Sequence, residues 1–232
     1  MNKSKSLIIS MLIFLSWWVI IYTSMYLGAT LNLTINGIGG EGEQFILYYY
    51  LIVLLIISII YLIIIPLFIK GKDNKQKYLE KFKININKCS LTYVLIIIIC
   101  AFIGHFIWGN LYGISSLQYI YSIQPPIVEE LLFRGLILSV LSLSFSNRSS
   151  IIISSIFFGL IHIMISPVNV IGTIFIGIIY CLIVFRTKSI LPTIVIHYIQ
   201  GTNLYQLILG IIGICIFECI NYFIKKRKKF IN

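Results

Sequence analysis

Glu129, Glu130 and Arg134 open a long apolar segment, PPIVEELLFRGLILSVLSLSF. At membrane depth each such ionisable group costs roughly 2.5–3.5 kcal/mol on insertion scales, so intramembrane charges are read first as a functional site. In a chain with only 11% charged residues, three of them here call for a use. Helical residues four apart share a face, whereas neighbours diverge by roughly 100°. The spacing therefore predicts an ion pair between Glu130 and Arg134, with the acid in the favourable N-terminal position. Glu129 points elsewhere, has no partner in its own helix, and is the carboxylate left to react.

Three histidines are available: His105, His162 and His197. A carboxylate with two imidazoles can hold a divalent metal, with zinc the expected ion, or the carboxylate can activate a water directly as general base. Either arrangement suits peptide-bond hydrolysis, and Glu129, His162 and His197 form the candidate set. The bland alternative is a group of buried polar side chains that pins helices together. His105 lies in GHFIWG beside Trp108, where an amphipathic ring at a membrane interface is ordinary. Glu218 is expected to make a satisfied polar contact, with Tyr222 on its own helix face.

The elements that must carry these residues follow from composition. The chain has 232 residues, is 59% hydrophobic and has a mean hydropathy of +1.01, with its excess of apolar residues in unbroken runs. The runs fall near 7–27, 45–69, 91–108, 125–145, 151–166, 168–185, 190–204 and 205–224. They predict an all-α, polytopic membrane protein with about eight transmembrane helices, forming one integral-membrane domain over 1–232 and a motif-bearing core over 91–204. A transmembrane barrel would show short alternating segments instead. The first run lacks a small-residue cleavage site and reads as a retained helix. The short stretch 190–224 reads as two shortened helices, the first disturbed by Pro192 and Gly201.

Charge sets the orientation. With eight spans, Lys3 and Lys5, the seven lysines between 70 and 88, Arg148, Arg186 with Lys188, and the run from Lys225 to Lys229 all face one side. That is seventeen of the eighteen basic residues, and the positive-inside rule makes that side the cytoplasm, with both termini there. The remaining one is Arg134. Glu129 then lies near the outer end of its helix, and His162 and His197 fall in the outer half as well. The net charge of +11 is spread through short loops without a groove or motif for nucleic acid, and points to anionic lipid at the basic loops. The five cysteines have no zinc or disulfide spacing and read as small buried hydrophobes. NLTINGIGGEGEQ reads as an exposed loop, and the tyrosines of YYYLIV and the tryptophans as interface anchors or packing.

At these residues the chain resembles the CPBP family of CAAX proteases and bacteriocin-processing enzymes, also called the Abi family. E-E-x-x-x-R is matched by Glu129, Glu130 and Arg134, and F-x-x-x-H by Phe158 and His162. H-x-x-x-N is matched at His197 only, because Gly201 stands where asparagine or aspartate is expected; Asn203 could substitute if the helix unwinds at Gly201. The resemblance covers roughly 91–204. It implies an all-helical intramembrane protease whose Glu129, His162 and His197 surround one water-filled cavity. In that implication Glu129 activates water, Glu130 and Arg134 support it, and the histidines bind metal or stabilise the oxyanion.

The resulting expectation is an endopeptidase that cleaves a membrane-proximal peptide or protein. The Ile/Lys/Asn-rich usage suggests an AT-rich bacterium, hence bacteriocin or pheromone processing or self-immunity rather than prenylated substrates. A non-catalytic bacteriocin-immunity or scaffold protein on the same fold is the alternative, with Gly201 as its discriminating feature. A small proton-coupled transporter is the third reading, disfavoured because no inverted repeat is visible.

Overall fold

The computed structural model describes residues 1–36, 85–108, 124–163, 167–202 and 204–231. Among the described residues every regular element is helical. The chain divides into two compact units, Met1–Phe82 with Val128–Leu182, and Lys83–Ile127 with Ile183–Asn232.

The first unit contains α1 (Lys3–Asn36) and, from Val128 on, a compound helix made of α3 (Gln124–Glu130), a π-helix (Leu131–Ile137) and α4 (Leu138–Leu141). It also contains α5 (Asn147–Ile161), a 3-10 turn (Pro167–Asn169) and most of α6 (Val170–Thr187). Local signals start these helices. Pro125 and Pro126 occupy the first turn of α3, where their missing N–H groups would have no intrahelical partner. Ser146 caps α5 by accepting a hydrogen bond from the Ser149 amide at 3.2 Å.

Packing in this unit uses small and aromatic residues. In lipid, helices associate through close contact and hydrogen bonds, because hydrocarbon tails are as apolar as leucine. Ile13, Phe14 and Trp17 of α1 pack with Val128, Leu132, Phe133, Leu136 and Phe158 in one buried cluster. Phe14 stacks on Phe157 with centroids 4.9 Å apart. Gly159 and Gly177 let α5 and α6 approach closely. A Cβ on Gly159 would collide with Ile174 Cγ1, and one on Gly177 would sit 3.1 Å from Ser155 Cβ. The Ser6 hydroxyl donates to the Val140 carbonyl, and Ser144 to that of Met1, each at 2.6 Å. The start of α1 and the end of α4 thus lie at one end of the unit, and Glu129 lies some 12 residues back along the helix, roughly 18 Å away.

In the second unit α2 (Lys88–Trp108), α7 (Leu191–Thr202) and α8 (Leu204–Ile231) pack together with the end of α6. Asn87 caps α2 by accepting from the Ser90 amide at 2.9 Å, and its Nδ2 donates to the Thr187 carbonyl at 2.8 Å. Tyr93 donates to Glu218 Oε1 at 2.5 Å, and Arg186 donates to both Glu218 oxygens at 2.9 and 3.0 Å. The start of α2, the end of α6 and the later half of α8 therefore share one end of the unit. Lys88, Arg186 and Lys225 lie toward that end.

Among the described residues four helices are long and apolar enough to cross a membrane, with spans Lys3–Ile20, Lys88–Ile107, Val170–Thr187 and Tyr205–Arg227. Some expectations change. The apolar α5 is shorter, and α7, at 12 residues, is about 18 Å long, short of a 30 Å hydrocarbon core. Of the two helices in 190–224 only the first is shortened; α8 runs on through the basic tail because lysine and arginine are good helix formers. Pro192 lies in the first turn of α7 and Gly201 in its last, so they bound that helix and do not break it. Glu218 is held by Arg186 and Tyr93, not by Tyr222, which is exposed. Among the cysteines only Cys181 is buried; Cys215 and Cys219 are exposed on α8, a placement that costs little where lipid is the solvent. The second apolar run, most of the lysine-rich loop, the Gly-rich stretch and Asn203 lie outside the described residues.

Candidate active site

The compound helix carries Glu129 as the penultimate residue of α3 and Glu130 as its last, and Arg134 sits within the π-helix. Arg134 Nη1 donates to Glu130 Oε1 at 2.9 Å, with both side chains fully buried. The guanidinium is further caged. Its carbon lies 4.0 Å above the Phe158 ring and 5.1 Å from that of Tyr180, and Nη2 reaches the Gly177 carbonyl at 3.4 Å. Arginine suits this cage because its planar, weakly hydrated cation can stack and donate together.

Glu129 has a different setting. Its Oε2 lies 4.0 Å from His162 Nε2, and the side chains are 18% and 24% exposed respectively. His162 caps the C-terminus of α5, which runs antiparallel to the compound helix, so the two residues meet at the end of the unit opposite Met1. Adjacent carboxylates thus part: one is sealed against a guanidinium, the other opens toward an imidazole.

The orientation of His162 is fixed from behind. Its Nδ1 is 2.9 Å from the Phe158 carbonyl. A carbonyl only accepts, so Nδ1 carries the proton, and in neutral imidazole Nε2 presents its lone pair toward Glu129. Phe158 thus performs two tasks, its ring under Arg134 and its carbonyl behind His162. That is a physical reason for phenylalanine four residues before histidine.

An Nε2 lone pair backed by an Nδ1–H···O=C bond is also how metal-ligating histidines are held. With the Glu129 carboxylate it supplies two donors of the right chemistry for a divalent ion. Catalytic zinc sites use three protein ligands, and within either unit, among the described residues, no group of three His, Cys, Asp or Glu side chains is arranged to hold one. His197, the third expected member, belongs to the second unit, where it is buried on α7. Gly201 is helical and exposed, with no described residue within 4 Å of where a Cβ would stand. His105 is exposed in the last turn of α2.

Two residues of this region escaped the sequence reading. Tyr180 belongs to no motif, and only its place on α6 brings its ring to Arg134. Ser154 donates to the Phe133 carbonyl at 3.0 Å. Its one visible signal was its position eight residues before His162.

Comparison with curated proteins and with solved structures finds no match. Residues 114–202, which contain the first two motifs and His197 of the third, match the family described as Type II CAAX prenyl endopeptidase Rce1-like. With its apolar helices, the chain is a multi-pass membrane protein, and over that segment it resembles the CAAX-protease family to which its motifs point.

Proposed function

We propose that this protein is an intramembrane endopeptidase that cleaves a membrane-proximal peptide or protein by attack of a water activated by Glu129. The observation that carries the proposal is the divergence of two adjacent carboxylates: Glu130 is neutralised and sealed by Arg134, while Glu129 keeps partial exposure 4.0 Å from His162 Nε2.

A 4.0 Å gap admits a water within hydrogen-bonding distance, about 2.8 Å, of both side chains. The Glu129 carboxylate accepts its proton, the hydroxide adds to the scissile carbonyl carbon, and Glu129 returns the proton to the departing amine nitrogen. His162 in its neutral form accepts through Nε2 and orients the water. To stabilise the oxyanion it must first be protonated, because its Nδ1–H is committed to the Phe158 carbonyl. Glu130 and Arg134 act behind this pair by fixing the helix that carries it. Glu129 and His162, with His197 added on its motif alone, are the residues that would hold a divalent ion such as zinc. A bound ion of this kind lowers the pKa of water and polarises a carbonyl.

The substrate expected from the family description is a prenylated CAAX-type peptide. Bacteriocin or pheromone processing, in which the peptide is unmodified, is the alternative suggested by residue usage. With both termini cytoplasmic the site lies in the outer half of the membrane, which suits a peptide in export. Anionic lipid would contact the basic loops.

The test is an internally quenched CAAX peptide, prenylated and unmodified, offered to the purified protein in liposomes. Glu129→Gln keeps the side-chain volume and removes the proton acceptor, so kcat should fall about 10²–10⁴-fold with accumulation unchanged. His162→Ala and His197→Ala should abolish cleavage. A Glu129→Gln protein that cleaves as well as wild type would favour the immunity or scaffold reading.

A further inference from the structure

The π-helix separates the carboxylates from α4, and its register is a choice the backbone could make otherwise. The Leu138 amide bonds the Phe133 carbonyl, the i→i+5 pattern that defines a π turn. A slip to α-helical pairing removes about one residue per turn and rotates everything N-terminal of it by roughly 100°. Glu129 lies on that N-terminal side, so such a slip would turn it away from His162.

One face of α5 reads this register. Ser154, Phe158 and His162 are spaced four apart. Ser154 donates to the Phe133 carbonyl at 3.0 Å, Phe158 lies under Arg134 and edge-on to Phe133 with centroids 5.3 Å apart, and His162 faces Glu129. The carbonyl that accepts the Ser154 hydroxyl is the same one that accepts the i→i+5 bond. A carbonyl oxygen has two lone pairs and can hold both. The donor is 1% exposed and sits two turns before His162 on the same rigid helix. The bond therefore joins the element that carries the carboxylate to the element that carries the imidazole.

We propose that Ser154 is a positioning residue, whose hydrogen bond to Phe133 locks the π-helix against α5 and thereby holds Glu129 opposite His162. This inference rests on the proposed function and adds to it a residue outside the three motifs.

The protein carries its own control. Ser150 lies one turn earlier on α5, is equally buried, and among the described residues its hydroxyl makes no hydrogen bond. Ser154→Ala and Ser150→Ala remove the same atom at the same burial and differ in the register bond. With the quenched CAAX peptides in liposomes, Ser154→Ala should lower kcat at least about tenfold with KM within about twofold, since a misplacement near 1 Å can cost 10²-fold. Ser150→Ala should leave both constants within about twofold, and the two variants should melt within a few degrees of each other. Ser154→Cys keeps the volume and a weak donor, and should recover part of the lost kcat. If Ser154→Ala fails to accumulate, the cysteine variant decides, because a kcat equal to wild type would then overturn the proposal. A Ser154→Ala kcat indistinguishable from that of Ser150→Ala, or a loss carried by KM, overturns it too. Glu129→Gln separates the two readings: a normal rate there defeats the proposed function, whereas a lost rate there beside a normal Ser154→Ala rate defeats the register lock alone.

Discussion

The two units each contain an arginine–glutamate pair with the same 2.9 Å N···O distance. Glu130 and Arg134 are fully buried, one helical turn apart, and caged by Phe158, Tyr180 and the Gly177 carbonyl. Arg186 and Glu218 come from different helices, are 45% and 34% exposed, and share the carboxylate with Tyr93. Distance alone would rank them equal. Environment separates them, because removing a partner strands a charge in the first case and hands it to water or lipid headgroups in the second.

The largest expected effect follows from that difference. Arg134→Ala leaves an uncompensated buried carboxylate, which typically costs about 3–5 kcal/mol. Accumulation in membranes and the melting temperature in detergent should both fall sharply. Glu130→Gln strands the guanidinium less severely, since the aromatic faces and the Gly177 carbonyl remain. Replacing both, Glu130→Leu with Arg134→Met, should restore much of the accumulation, because buried ion pairs often exchange for apolar side chains at little cost. Restored folding without restored cleavage would mean that the pair serves the site. An Arg134→Ala protein that melts like wild type would erase the contrast between the two pairs.

The exposed pair should respond weakly. Arg186→Ala is expected to cost at most about 1 kcal/mol, the usual range for a solvent-accessible ion pair, and to lose that effect in high salt. Tyr93→Phe deletes one hydrogen bond while the two to Arg186 remain, and should cost about 1 kcal/mol. Thermal melts at two ionic strengths would measure both. A larger loss for Arg186→Ala than for Arg134→Ala would invert the comparison.

What the sequence made legible follows the range of the interaction. The Glu130–Arg134 pair lies within one turn, so spacing alone predicts it. Helix existence was equally local: the apolar runs near 91–108, 125–145, 168–185 and 190–204 lie within a few residues of α2, the compound helix, α6 and α7, while α1 and α8 run on past theirs. The convergence of Glu129 with His162 came from charge parity, which fixes depth without fixing contacts. Three features stayed hidden for the opposite reason. The segment LLFRGLI has α-helical composition, and the π register is stabilised by Ser154 from another helix. The Glu218 contacts span 125 residues to Tyr93 and 32 to Arg186, beyond any helix-face argument. The ring of Tyr180 reaches Arg134 only through the close approach of α5 and α6 at Gly159 and Gly177.

The smallest expected effect on stability is the one that most sharpens the chemistry. Gly201 stands where the third motif has asparagine or aspartate, and no described residue lies within 4 Å of the position its Cβ would take. The Cβ of Gly201→Asn is therefore expected to fit. Asparagine also has a better helix propensity than glycine by a few tenths of a kcal/mol, so the melting temperature should be unchanged or slightly raised. Gly201→Ala makes the same backbone change without the amide and serves as the reference. If a metal ion takes part with His197, Gly201→Asn should tighten zinc retention through chelator dialysis, measured by elemental analysis, and raise cleavage above that of Gly201→Ala. If Glu129 activates water unaided, both variants should cleave alike and retain the same zinc. A Gly201→Asn protein that melts well below Gly201→Ala would show that the space beside α7 is filled after all, and would remove the basis for reading that motif position as open.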